Sequence, residues 1–143
     1  MLCGISPLLT GDLLKVLCDM GHGNRLVIAD GNFPGPELAR EGGAALIQLP
    51  GCDCLQVLEA ILPLFPLDSY SSPAFVMDLT ESDKVSGMQE PAMWAGFRRA
   101  LNLEMEKLER YAFYDQTRSS SLIVMTGEKR PYGNLMLTKG CVR

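Results

Sequence analysis

The sequence predicts a single α/β domain, residues 1–143, with helices packed on a mostly buried mixed β-sheet. Three observations predict it. Short apolar or β-branched runs alternate with stretches of helical periodicity, the pattern of helices covering a sheet. The length of 143 residues suits one domain, which at this size buries roughly 70% of the surface its unfolded chain exposes. The composition, 47% hydrophobic and 21% charged, is that of a soluble compact chain, and there is no internal repeat, low-complexity segment or linker.

The elements follow in order. Thr10 is an N-cap candidate ahead of Gly11 to Met20, where Asp12 makes the first turn acidic, apolar residues recur at helical spacing and Gly21 supplies a stop. Arg25 to Asp30 is β-branched and apolar, a buried strand ending at the turn formers Gly31-Asn32-Phe33-Pro34-Gly35. Ala44 to Leu49 is a second strand, closed by Pro50-Gly51, and Cys54 to Leu62 a helix that Pro63 ends. Ala74 to Leu79 reads as a strand, Thr80 to Gln89 as polar loop, and Glu90 to Met105 as a helix with Trp94, Phe97 and Leu101 on one face. The remainder reads as a short strand, Leu108 to Tyr111, a short helix, Ala112 to Ser120, and two strands, Leu122 to Thr126 and Asn134 to Thr138. A Gly127 to Gly133 loop joins the last two.

Bulk chemistry narrows the function. A net charge of −4 with scattered basic residues argues against a nucleic-acid partner, which requires clustered Lys and Arg. The longest apolar candidate, Leu55 to Leu67, carries Glu59, Pro63 and Pro66, so no membrane span is expected. The first Lys or Arg is Lys15, unlike the basic start of a secretory signal, and a cytoplasmic location is the expectation. Cys3, Cys18, Cys52, Cys54 and Cys141 form an odd set without framework spacing and are expected to be free thiols. Cys52-x-Cys54 could be half a metal site, but the second pair that zinc usually takes is missing, so no metal is expected.

His22, the one histidine, stands between two glycines in Met20-Gly21-His22-Gly23. An imidazole suits proton transfer near neutral pH, and flanking glycines permit close approach of a ligand, although a lone histidine can also simply pack or sit in solvent. Asp30 closes a strand ahead of a turn-rich loop, the place of a ligand-facing carboxylate, an N-cap or a turn residue. The last third offers Arg110-Tyr111-Ala112-Phe113-Tyr114 and the loop Thr126 to Asn134. Aromatics beside Asp, Arg and Asn are what a sugar site uses, because a pyranose presents hydroxyls to bond and an apolar C–H face to pack, though such tyrosines also serve as packing residues. The sequence carries no G-x-S-x-G elbow, H-E-x-x-H, Walker loop or G-x-G-x-x-G, so covalent hydrolysis and metal catalysis have little support.

These segments together resemble the L-fucose mutarotase family and, more distantly, the ribose pyranases. The resemblance runs across almost the whole chain in the family's order. Its blocks are Met20 to Gly23 leading into Val27 to Asp30 and Asn32-Phe33-Pro34, then Pro63 to Tyr70, Arg110 to Tyr114, and Thr126-Gly127-Glu128 with Tyr132-Gly133-Asn134. By that resemblance His22 is the proton-transferring residue, and Asp30, Arg110, Tyr132, Gly133 and Asn134 belong to the sugar site. Asp68, Met77 and Tyr114 match positions associated with the site in the animal branch. The chain departs from the pattern at Asn24, Gly31 and Gln48-Leu49-Pro50, changes that bear on sugar preference more than on the reaction.

The resemblance implies cofactor-free exchange of the α and β anomers of L-fucose or a similar monosaccharide. It also implies a ring-shaped homo-oligomer, often a decamer, with sites near subunit contacts. A cyclic hemiacetal opens when a base takes the anomeric hydroxyl proton while an acid protonates the ring oxygen. His22 is expected to move one of those protons, with Asp30 or a tyrosine orienting it or the sugar. A ribose pyranase and a non-catalytic sugar-binding accessory of a transporter are the alternative readings.

Overall fold

Apolar runs that are buried at every residue must be covered on both faces, because successive strand residues point to opposite sides. The computed structural model, which describes all 143 residues, has that arrangement. Strand β1 (Arg25–Ala29) is buried from Leu26 onward, and β5 (Leu122–Thr126) and β6 (Leu135–Thr138) are buried throughout. With β2 (Ala45–Leu49), β3 (Ala74–Met77) and β4 (Glu106–Leu108) they form one six-stranded sheet in the order β2-β5-β1-β6-β3-β4. The outer strands β2 and β4 expose Gln48, Glu106 and Lys107, polar side chains that discourage edge pairing.

Helix α1 (Gly11–Asp19) is capped by Thr10, whose side chain accepts from the Leu13 amide at 3.3 Å, and it buries Leu13 and Leu17 one turn apart. Helix α3 (Cys54–Ile61) starts at a reciprocal Asp53–Gln56 capping box and packs against α5 (Ala92–Leu101), which buries Trp94 and Phe97. Helix α2 (Gly35–Gly42) packs against α6 (Arg110–Arg118), which buries Phe113. Removing an aromatic ring of this size from water contributes about 1.5–3 kcal/mol. No helix is long and apolar enough to cross a membrane.

Several elements differ from the sequence reading for identifiable reasons. Gly35 opens α2 rather than merely ending a turn: Pro36 sits in the first helical turn, where no amide is required, and Gly43 closes the helix at φ +80. Thr80 caps a short helix, α4 (Glu81–Val85), within the expected polar loop; α4 buries none of its residues, so no apolar pattern marks it. Helix α5 is shorter than Glu90 to Met105 because Pro91 precedes it and Asn102 ends it in the left-handed region at φ 52. The strand expected over Leu108 to Tyr111 lies instead at Glu106–Leu108. Glu109 caps α6 by accepting from the Tyr111 and Ala112 amides at 2.8 and 3.1 Å, which moves the helix start back to Arg110.

Strand direction positions everything that follows. β1, β2 and β5 are mutually parallel, β3 and β4 are parallel, and β6 is antiparallel to both β1 and β3. β6 alone therefore runs backwards. Its N-terminal end lies at the same edge of the sheet as the C-terminal ends of β1, β3 and β4.

Candidate functional site

At that shared edge the chain leaves β1 at Asp30, β3 after Met77 and β4 just before Arg110, and it enters β6 from Tyr132-Gly133-Asn134. A crevice beyond the carboxyl ends of strands is the usual ligand site of such sheets. Here it is a cleft of about 230 Å³ lined by Asp30, Asn32, Phe33, Met77, Thr80, Asp83, Arg110, Tyr114, Pro131, Tyr132 and Asn134. That is smaller than the roughly 300–1,000 Å³ of drug-sized sites and suits a small polar ligand.

The floor of the cleft is a hydrogen-bonded unit. Asp30, 3% exposed, accepts from the Asn32 amide at 2.9 Å and the Gly133 amide at 3.2 Å. Burial pushes its carboxyl above the ordinary range, while those two amides pull the other way. The Asp30 amide in turn donates to Asn134 Oδ1 at 2.9 Å, which identifies that atom as the oxygen. The Asn134 Nδ2 has no protein partner and is not sealed from the cleft, so it is free to donate to a ligand.

Gly133 itself does not line the cleft; it supports it. A Cβ there would approach Met93 Sδ to 2.9 Å and Glu128 Cγ to 3.2 Å, too close for any side chain without movement. Below it the buried Cys54 thiol donates to the Gly133 carbonyl at 3.0 Å and lies 3.2 Å from Thr126 Oγ1. Burial pushes this thiol up to about 12, so it remains a protonated tie rather than a thiolate ligand or nucleophile.

Arg110 brings a positive charge that no carboxylate neutralises. Its Nη2 donates to the Tyr111 hydroxyl at 2.8 Å and its guanidinium lies 4.8 Å from the Tyr111 ring centroid, while its remaining donors face the cleft and solvent. Tyr114 packs edge-on against Phe33 at 5.4 Å, and burial raises its phenol. Tyr132 adopts φ +65, an uncommon conformation for an aromatic residue, and is held there by Trp94 Nε1 donating to its carbonyl at 2.9 Å. Its hydroxyl accepts from the Thr80 amide at 3.1 Å and donates to the Asp83 carboxylate.

Of the residues expected at the site, the cleft therefore gathers Asp30, Met77, Arg110, Tyr114, Tyr132 and Asn134, with Gly133 beneath them. His22 and Asp68 are elsewhere. His22 precedes β1 while Asp30 follows it, and five strand residues separate the two ends by about 17 Å. The side chain that orients His22 is Asp68, at 3.1 Å from Nε2, while Asp30 and the cleft tyrosines, expected to orient the histidine or the sugar, stand where they can reach only the sugar. The Asp68 carboxylate is nearly enclosed and also accepts from Ser71 Oγ at 2.7 Å and the Tyr70 amide at 3.1 Å, which with the imidazole hold it down to about 2. Asp68 is ionised at neutral pH and accepts from Nε2–H, which leaves Nδ1 as the nitrogen that can exchange a proton with a ligand. The His22 side chain is 45% exposed, with the Tyr70 ring 5.5 Å away.

A depressed carboxyl contributes stability above the unfolded Asp value of about 3.9 and loses it as pH falls toward the folded value. Asp68→Asn is thus expected to be less stable than the parent at pH 6, with the gap closing between about pH 4 and pH 2. Urea midpoints at several pH values check this, and a gap independent of pH contradicts it.

Asn32, Phe33, Thr80, Asp83 and Pro131 also line the cleft and were not singled out from the sequence. Asn32 and Phe33 stood in a turn-rich loop already read as turn, and nothing in the polar Thr80 to Gln89 run signals that it folds over the cleft.

The sequence profile described as the RbsD / FucU transport protein family matches residues 3–142. The fold is similar to FucU from Bifidobacterium longum, with a TM-score of 0.90 and 36% identity over 98% of this chain and 99% of that one. It is similar to the fucose mutarotase from Streptococcus pneumoniae in complex with L-fucose, with a TM-score of 0.88 and 34% identity over 99% of this chain and 100% of that one. Bacillus subtilis RbsD complexed with D-ribose shares the fold at a TM-score of 0.75 and 22% identity, covering 100% of both chains. With a whole-length profile match and two neighbours above 30% identity, the chain belongs to the RbsD / FucU family.

Proposed function

We propose that this protein is a sugar mutarotase that opens and recloses the ring of L-fucose, exchanging its α and β anomers without a metal or organic cofactor. The observation that carries the reading is the cleft itself. A free amide donor on Asn134, a cation on Arg110 without a carboxylate partner, and the apolar surfaces of Phe33 and Met77 surround one small space. That set matches a pyranose carrying a methyl group, with hydroxyls to bond and a C–H face to pack. Likeness to a fucose mutarotase that binds L-fucose supports the choice of sugar.

Ring opening also needs a group that exchanges protons near neutral pH, and His22 is the best suited side chain in the sequence. It lies beyond the far end of β1 from the cleft of its own chain, and that strand is about 17 Å long, more than one pyranose ring spans. In our reading the working unit is therefore a ring-shaped homo-oligomer in the cytoplasm, in which His22 with its Asp68 completes the cleft of a neighbouring copy. The binding groups hold the ring in place, and the imidazolium gives its Nδ1 proton to the ring oxygen on opening and takes it back on closure.

The reading expects L-fucose to exchange faster than D-ribose. Phe33 and Met77 can cover the C6 methyl that ribose lacks, and burying one methyl contributes about 0.8 kcal/mol, or roughly fourfold. Anomer exchange measured by magnetisation transfer for both sugars at equal concentration tests it. Equal or faster exchange of ribose would move the protein to the pyranase reading.

A further inference from the structure

Ring opening needs a base for the anomeric hydroxyl as well as an acid for the ring oxygen, and two carboxylates line the cleft, Asp30 and Asp83. Each Asp30 oxygen already accepts a backbone amide, Arg110 is a cation, and the Tyr114 phenol has no acceptor to pass a proton to. The Tyr132 hydroxyl differs. Its proton is already directed at the Asp83 carboxylate, and the Thr80 amide fills one of its lone pairs at 3.1 Å. One lone pair is left over in a group that lines the cleft.

Asp83 is well placed to receive that proton. No cation neutralises it, because the adjacent Lys84 is taken up by Asp78 at 2.9 Å and Glu81 at 3.2 Å. Its own amide donates to Thr80 Oγ1 at 3.3 Å, closing a ring of contacts among Thr80, Asp83 and Tyr132. The hydroxyl also lies 3.4 Å from Thr80 Oγ1, but a carboxylate is the stronger acceptor. This tie is what holds α4 over the cleft, since the helix buries no residue of its own.

We propose that Tyr132 and Asp83 form a two-proton relay that is the base half of the mutarotase reaction, an inference that rests on the function proposed above. As the C1–O5 bond breaks and C1=O forms, the O1 proton passes to the Tyr132 oxygen and the phenolic proton passes to Asp83. The ring oxygen takes its proton from the imidazolium of a neighbouring copy. Reclosure on the other face returns every proton, so no oxidant, reductant or co-reactant is needed. Tyr132 touches the sugar, and Asp83 acts through it as a positioning residue that stores one proton.

The test compares L-fucose exchange rates and dissociation constants for the full-length parent, D83N, D83A, Y132F and D83N/Y132F. An asparagine carbonyl still accepts the phenolic hydrogen bond but does not take up its proton. The relay therefore expects D83N to be as slow as D83A, about 10²-fold or more below the parent, with the sugar bound nearly as tightly. The double variant should be no slower than the slower single variant. A D83N loss smaller than about tenfold, a loss that appears in the dissociation constant instead of the rate, or losses that multiply in the double variant would each overturn the relay. A parent that does not exchange L-fucose overturns the proposed function instead.

Discussion

His22→Ala is expected to fold like the parent and to lose about 10²–10⁴-fold of L-fucose anomer exchange, the usual contribution of a general acid–base group. The fold should survive because the residue is exposed and stands between glycines outside every helix and strand. Its loss leaves Asp68 its two other donors, Ser71 Oγ and the Tyr70 amide, so no buried carboxylate is orphaned. Sugar affinity should change little, since Asn134, Arg110 and Phe33 belong to a cleft that His22 of the same chain does not touch. Thermal melts together with exchange rates separate the two effects. A variant that folds and exchanges at the parent rate removes the imidazole from the reaction.

The second large effect is recovery of activity in mixed oligomers. Arg110→Ala removes charged donors from the cleft, and hydrogen bonds to charged groups contribute about 1.5–3 kcal/mol, so this variant should bind the sugar roughly ten- to a hundredfold more weakly. His22→Ala lacks the imidazole but keeps an intact cleft. If each site pairs the cleft of one copy with the imidazole of another, co-expressing the two should restore about a quarter of the parent activity by random pairing. Purifying doubly tagged oligomers and measuring exchange at low sugar concentration checks this. Activity no higher than the average of the two parent variants contradicts a shared site, and the His22 of each chain would then have to act without its neighbour.

The fold was legible in the sequence wherever burial is continuous. Leu26 to Ala29 and Leu122 to Thr126 are apolar enough to be strands in any context, and Thr10 marks a helix start through its side chain. Helices α2 and α4 were not legible: one opens with Gly-Pro, which also reads as a turn, and the other has no apolar face. The cleft residues Asp30, Arg110, Tyr132 and Asn134 were recognisable one by one, through strand ends, residue chemistry and family resemblance. Their meeting point was not, because it depends on β6 running against its neighbours, and strand direction is set by long-range pairing. For the same reason the partner of His22 is not legible in the sequence. Asp68 lies 46 positions away, brought to the histidine by its backbone bond to Thr138, whereas the nearer Asp30 is carried off to the other end of β1.

The most direct measurement of the central claim is exchange spectroscopy on the anomeric protons of L-fucose with a sub-stoichiometric amount of protein. The account predicts cross-peaks between the α and β resonances that grow in proportion to protein concentration and persist after treatment with a chelator. Exchange at the spontaneous rate in a sample where L-fucose is shown to bind would contradict it and leave a sugar-binding protein without mutarotase activity.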